Sequence, residues 1–312
     1  MRPLFLLYAL LALVVSVVNL SCQPNSSSSN TQDHLIPLNE QLHQLTSGHN
    51  AIVGISLLGP EPGDTLSING DRRFPLQSVF KYHLAIPMLV QIDEGTYTLG
   101  HTVTLTQEDL NTALYSPMSK EHDVGDEISM ETLLQYSIAQ SDNVACDLLL
   151  LAIGGPQEVQ RYFHSLGITD LAIVHNELDM QSQWKNMYDN WSTPKSASKA
   201  LDFFLRNQDQ RLSPESHAFL WETMKSTQTG ANRLKGQLPT GTVVAHKTGT
   251  SGTNAEGLTP ATNDIGVIYL PDGSYFILSV FVGESYEDAA TNEQIIASIA
   301  KAVYDHFVKD AK

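Results

Sequence analysis

Positive charge is scarce in this chain: 18 lysines and arginines stand against 34 aspartates and glutamates, a formal net charge of -16. Nucleic acid and an anionic membrane face are repelled by such a balance. Lysines grouped with polar residues therefore stand out as places where a small anion is received against the global field. Cysteine is scarcer still, with only Cys22 and Cys146. Cys146 lies in "NVACDLLLLA", which reads as a helix interior where a thiol packs as a small apolar group, so no disulfide is expected. No two of the 11 histidines stand two to four residues apart, which removes the usual zinc-binding pairs. Neither a G-x-S-x-G elbow nor a G-x-x-x-x-G-K-[ST] phosphate loop occurs. The expectation is an enzyme or binder with no metal and no organic cofactor. Long apolar runs are also missing, except from Leu4 to Val18. That run has the length of a signal-peptide core and falls short of the roughly 20 residues of a membrane span.

The leader predicts export. Residues 1–22 read as a signal peptide and residues 23–34 as a serine-rich tether. Cys22 directly behind the apolar segment resembles a bacterial lipoprotein signal, with Asn19 where such signals usually carry leucine. This leaves two readings open: a periplasmic protein anchored by lipid on Cys22, or plain cleavage near Ser21 with a flexible stub. The remaining chain, in a sequence of 312 residues with 42% apolar content, has ample material for a sizeable core.

"LIPLNEQLHQL" carries Leu38, Leu42 and Leu45 at helical spacing, with Gly48 as a stop. "AIVGISLLGPEPGDTLSING" reads as a hairpin. A helical block follows, with Pro87 set where it removes a helix hydrogen bond and predicts a kink. Strand character returns at "LPTGTVVAHKTGTSGT", then in the hairpin "DIGVIYL-PDGS-YFILSVFVG". The chain closes on a helix with Thr291 and Gln294 spaced as a capping box and Ile295, Ile299, Val303 and Phe307 on one face. This order predicts an α+β fold: residues 35–74 and 226–312 form a sheet domain, and residues 75–225 an inserted helical domain.

Ser78 and Lys81 in "QSVFKYH" are three apart at a helix start, which brings hydroxyl and amine onto one face. The helix N-terminus there also points N–H groups at any oxyanion. The same spacing recurs at Ser192/Lys195, Ser196/Lys199 and Ser298/Lys301, so alone it is an ordinary surface pair. "SDN" (Ser141 to Asn143) and "KTG" (Lys247 to Gly249) each occur once, and only Ser78 precedes both across a long helical block. S-x-x-K, S-D-N and K-T-G in this order are the recorded trio of class A β-lactamases and penicillin-binding proteins.

On these residues the chain from about Leu35 to Phe307 resembles a class A serine β-lactamase. "SVFK", "SDNVACDLLL", "RLKG", "VVAHKTGTSG" and "ATNDIGVIYLPDG" are most similar to the PER-like and CfxA-like branch. The resemblance implies the β-lactamase/transpeptidase-like fold, a five-stranded antiparallel sheet flanked by helices plus an all-α domain. It also implies a β-lactam substrate and a monomer with no obligate protein partner. Ser78 would be the nucleophile, and its N–H and that of Thr250 the oxyanion hole. Ser141 would pass a proton to the leaving nitrogen, and Asn143 would hold Lys81 and the drug's side-chain amide. Lys247 and Thr248 would receive the drug's carboxylate, and Gly249 would keep the strand bare for the ligand.

Glu177, in the loop "IVHNELDMQSQWKNMYDNW", would activate the deacylating water. Whether it or Lys81 takes the Ser78 proton in acylation is disputed for the family. Gln181 stands where asparagine usually gives the water a second anchor. His175 and Asn190 stand where an arginine and an aspartate usually pair across the loop's neck, so that ion pair should be absent. The resemblance implies a refolded loop, a wider cavity and a preference for bulky cephalosporins. Arg233 would reach the carboxylate beside Lys247, against the plain reading of a helix-surface arginine. Tyr115 would supply an aromatic wall, against the plain reading of simple packing. The alternatives to a hydrolase are a cell-wall D,D-peptidase, which would not need Glu177, and a sensor that acylates and stops.

Overall fold

A computed structural model describes residues 33–310. The leader, Cys22 and nearly all of the serine-rich tether lie outside the described residues. His34, assigned above to the tether, belongs to the fold, with its ring 3.2 Å from Asp64 and stacked on His306.

Helix α1 (Ile36–Thr46) carries Pro37 in its first turn and ends before Gly48, whose φ of 84° only glycine adopts freely. The hairpin β1 (Ile52–Leu58) and β2 (Thr65–Ile68) follows. After the two-residue β3 (Phe74–Pro75) comes a 3₁₀ turn, Gln77–Val79, that runs into α2 (Phe80–Asp93). Pro87 sits inside α2, and the helix continues through it. The short hairpin β4 (Thr102–Thr104) and β5 (Glu127–Ser129) brackets α3 (Gln107–Leu110).

The helical block continues with α4 (Met130–Ala139), α5 (Asn143–Ile153) and α6 (Pro156–Ser165). A loop leaves β6 (Leu171–Ala172), carries α7 (Glu177–Ser182) and the 3₁₀ turn Trp184–Tyr188, and returns through β7 (Trp191–Ser192), which pairs with both β3 and β6. Helices α8 (Pro194–Leu205) and α9 (Pro214–Lys225) each open with a hydroxyl cap and a proline, Thr193-Pro194 and Ser213-Pro214. The chain ends with β8 (Val244–Thr250), β9 (Thr259–Tyr269), β10 (Tyr275–Ser285) and α10 (Ala289–Asp310).

The five long strands form one antiparallel sheet in the order β2-β1-β10-β9-β8, so β8 is an edge. One sheet face packs on α1 and α10, where Ile295, Ile299, Val303 and Phe307 are all buried. The other face merges with the helical block into a continuous apolar core through Phe74, Ile265, Val267 and Phe281. Helix α8 lies on this second face, and Ser198 Oγ donates to Ser56 O and Ser279 Oγ. The start of α10 corrects the expected capping box. Asp288, not Thr291, caps the helix by accepting from Thr291 N at 2.7 Å, so Thr291 lies inside the first turn and the helix begins earlier than expected, at Ala289.

Candidate active site

Edge strand β8, the start of α2, the start of α5 and the α7 loop meet around one cleft of about 560 Å³. Of the twelve expected site residues, Ser78, Tyr115, Ser141, Asn143, Glu177, Gln181, Arg233, Thr248 and Thr250 line it. Lys81 and Lys247 lie fully buried beneath its wall, and Gly249 is packed behind it.

Ser78 stands in the 3₁₀ turn whose axis continues into α2, so Lys81 sits one turn on. Lys81 Nζ donates to Ser78 Oγ at 2.8 Å and to Asn143 Oδ1 at 2.6 Å, and forms a close ion pair with Glu177. These three acceptors take up the three N–H bonds of an ammonium group. Ser78 Oγ in turn donates to Glu177 Oε1 at 3.4 Å, while Glu177 Oε2 accepts from Gln181 Nε2 at 3.2 Å. A buried carboxylate and a buried ammonium thus share one small space with a hydroxyl at the cleft wall, where burial strengthens each polar contact.

The second cluster comes from α5. Asp142 caps this helix, with Ala145 N donating to Oδ1, and its other oxygen accepts from Ser116 Oγ and Met118 N, both at 2.8 Å. The cap thereby ties down the segment that carries Tyr115, whose ring is 55% exposed at the cleft rim and whose carbonyl accepts from Asn143 N. Ser141 just before the cap has a φ of 60°, and Gln77 just before the nucleophile a φ of 47°. Left-handed backbone at two non-glycine residues flanking one cleft is strain that the surrounding contacts must hold. Gln77, which sequence analysis did not select, also lines the cleft and has a buried Nε2 with no partner among the described residues.

Lys247 Nζ donates to Ser141 Oγ at 2.8 Å and to Thr248 O at 3.0 Å. Its pKa is pushed well below the usual lysine value, first by burial and then by the nearby Lys81 ammonium. Thr248 Oγ1 shares a hydrogen bond of 2.7 Å with Thr229 Oγ1, another cleft residue the sequence did not reveal. Arg233 is not a surface side chain. It is buried, donating from Nη1 to Gly249 O and Asn263 O, from Nη2 to Thr250 Oγ1 at 2.8 Å and from Nε to Glu293. It buttresses the end of β8 from behind while bordering the cleft. At Gly249 the fold itself requires a bare position: a Cβ there would stand 2.4 Å from Leu76 O, in the backbone ahead of Ser78.

The loop carrying Glu177 is closed without the arginine–aspartate pair. Buried Asn190 accepts from Val174 N and His175 N at 2.7 and 2.9 Å and donates to His175 O at 2.8 Å. His175 also reaches the adjacent Asp189 at 3.0 Å. Farther along, Asn186 Nδ2 donates to Asp179 O, and Tyr188 Oη to Glu284 at 2.8 Å. On the α5 side, Asp147 accepts from the backbone N–H of Glu177 and of Leu178. Burial, and to a lesser degree the Glu177 charge, raise the Asp147 pKa to about 6, although the two accepted N–H bonds pull the other way. Trp184, Met180 and Met187 give the cleft an apolar side.

Chemically, the arrangement offers a hydroxyl with a carboxylate in reach to take its proton, and a second hydroxyl beside a buried lysine. It also offers a polar end fit for an anion. The profile of the beta-lactamase enzyme family matches residues 37–307. The chain is 45% identical over 274 residues to the extended-spectrum beta-lactamase PER-1 of Pseudomonas aeruginosa, spanning 87% of this chain and 88% of that one. It is 41% identical over 280 residues to beta-lactamase VEB-1 of the same organism, spanning 90% and 93%. Among solved structures, TLA-1 extended-spectrum beta-lactamase matches with a TM-score of 0.84 at 37% identity, over 87% of this chain and 98% of that one. A beta-lactamase from Chitinophaga pinensis matches with a TM-score of 0.82 at 39% identity, over 85% and 97%.

Proposed function

Because this chain belongs to the class A serine β-lactamases, in their PER-like branch, and so hydrolyses β-lactam rings, we propose that it does so through an acyl-enzyme on Ser78. Ser78 Oγ attacks the ring carbonyl carbon and gives its proton to Glu177, the acceptor left in reach once Lys81 has spent its N–H bonds on Ser78, Asn143 and Glu177. The N–H groups of Ser78 and Thr250 receive the oxyanion. The ring C–N bond then breaks, Ser141, backed by Lys247, supplies the proton to the departing nitrogen, and the proton taken up by Glu177 makes good the one Ser141 gave up, so that Glu177 is ionised again before the second half.

In the second half, Glu177 takes a proton from a water also held by Gln181. The hydroxide attacks the ester carbonyl, the ester C–O bond breaks, and the proton returns to Ser78 Oγ. Across both halves one water is consumed and the ring amide becomes a carboxylate and an amine. Lys247, Thr248 and Arg233 form the end of the cleft that takes the substrate carboxylate. The apolar side made by Met180, Trp184 and Met187 supports a preference for cephalosporins with bulky acyl groups.

The observation that carries this reading is the position of Glu177, 1% exposed and in contact with both Ser78 and Lys81. The hydrolytic half needs a carboxylate at this place, beside the ester that Ser78 forms, to take a proton from the attacking water. The test is turnover of a chromogenic cephalosporin: the wild type consumes it catalytically, and Ser78→Ala neither turns over nor gains mass. Catalytic turnover by Ser78→Ala would refute the nucleophile.

A further inference from the structure

His246 is the polar member of the Ala245-to-Thr250 run with no part in the chemistry above. It precedes Lys247 and faces away from the cleft, where imidazole and Asp264 are both fully buried. His246 Nδ1 donates to the Asp264 carboxylate, 2.9 and 3.0 Å from its two oxygens. Its Nε2 is buried with no partner among the described residues, so the tautomer that leaves no donor unpaired carries its proton on Nδ1. The fold clears room for this pair. Gly266 lies opposite His246 in the β8–β9 register, and a Cβ there would stand 2.6 Å from Ala245 O and 2.7 Å from His246 Cβ.

The pair is wired to both cations of the anion-receiving end. Asp264 Oδ2 accepts from Leu234 N at 3.2 Å, and Leu234 directly follows Arg233. The carbonyl of His246 accepts from Thr227 Oγ1 at 2.7 Å, and Thr227 O accepts from Lys235 Nζ at 3.2 Å. The turn bearing Arg233 and the strand bearing Lys247 are therefore fastened to one another through His246 and Asp264. Charge points the same way. Around Lys247, burial and Lys81 disfavour the ammonium, whereas Glu177 and Asp264 favour it.

We propose that the buried His246–Asp264 pair is a positioning device for the carboxylate-binding end of the site. It fixes the backbone beneath Lys247 and Arg233 and places a carboxylate behind the strand that offers Lys247 to the substrate. A buried carboxylate of this kind is costly unless it is paired and hydrogen-bonded, and here its partners are a histidine and a backbone N–H that both belong to the site's scaffold. The inference rests on Lys247 and Arg233 as the partners of the substrate carboxylate.

The test is steady-state kinetics on the full exported chain across neutral to alkaline pH, with a cephalosporin that carries the ring carboxylate. Asp264→Asn is expected to raise KM about tenfold, the scale of one lost buried hydrogen bond, with kcat changed by less. It is also expected to bring the alkaline rise of KM to lower pH by about one unit, because Lys247 loses a supporting charge. A purely structural role would not move that limb. His246→Asn, whose amide can donate from near the Nδ1 position, stays close to wild type, whereas His246→Leu raises KM. A folded Asp264→Asn enzyme with wild-type KM and a wild-type alkaline limb overturns the proposal. If Asp264→Asn does not fold, equal KM values for His246→Leu and His246→Asn overturn it instead. Lys247→Ala with unchanged KM would refute the carboxylate reading itself, an outcome distinct from either.

Discussion

Asp147 on α5 accepts from the backbone N–H of Glu177 at 2.7 Å, and its second oxygen accepts from Leu178 N at 3.0 Å. One carboxylate thus holds the residue proposed as the hydrolytic base by its own peptide group. The base is positioned from a helix that also begins with Asn143, a ligand of Lys81.

The Asp147 carboxyl titrates at about 6, and this fixes the sign of two pH effects. Protonation takes away one of the two acceptors, so deacylation should slow as pH falls through about 6. Stability should move the other way. A carboxyl whose folded pKa lies above its unfolded value contributes stability that is fully present below about pH 4 and is lost as pH rises through about 6. Asp147→Asn should show a lower plateau of deacylation without that acid limb, and should lose the matching pH dependence of the thermal midpoint. Single-turnover deacylation rates and melting curves from pH 4.5 to 8 check both, as experimental settings on the scale of ordinary carboxyl titrations.

Asn190 is expected to resist the substitution that resemblance alone would suggest. Asn190→Asp keeps two accepted N–H bonds but sets a carboxylate oxygen against His175 O, which now accepts from the amide at 2.8 Å. The predicted cost is about 1–3 kcal/mol in urea unfolding, shrinking at low pH where a protonated Asp regains a donor.

Gly249→Ala tests what that glycine is for. A Cβ at 2.4 Å from Leu76 O forces β8 away from the turn that carries Ser78. The expected result is a fall in kcat of about a hundredfold with a stability loss of about 1–3 kcal/mol, read from cephalosporin turnover and urea midpoints.

The local signals in the sequence were those that one stretch of chain determines by itself. Ser78 and Lys81 meet because one helical turn joins them, and "KTG" ends a strand whose apolar start was plain. Contacts made by distant partners were silent. Asp147 reads as an ordinary helix residue until the loop 30 positions later folds onto it. Asn190 looked like a lost ion pair because its amide's three backbone contacts have no sequence signature. At α10 the misreading was a competition: Asp288 and Thr291 are both good caps, and tertiary geometry chose the earlier one. Pro87 predicted a kink, and α2 continues through the proline without ending, held by a core that buries Leu84, Ile86, Met88 and Leu89.

The account turns on Glu177 as the group that frees Ser78 after acylation. Intact-mass analysis of Glu177→Ala over time after mixing with a cephalosporin measures this directly. The account predicts a covalent adduct that persists long after the wild type has returned to its free mass. An adduct that clears as fast as in the wild type would contradict it.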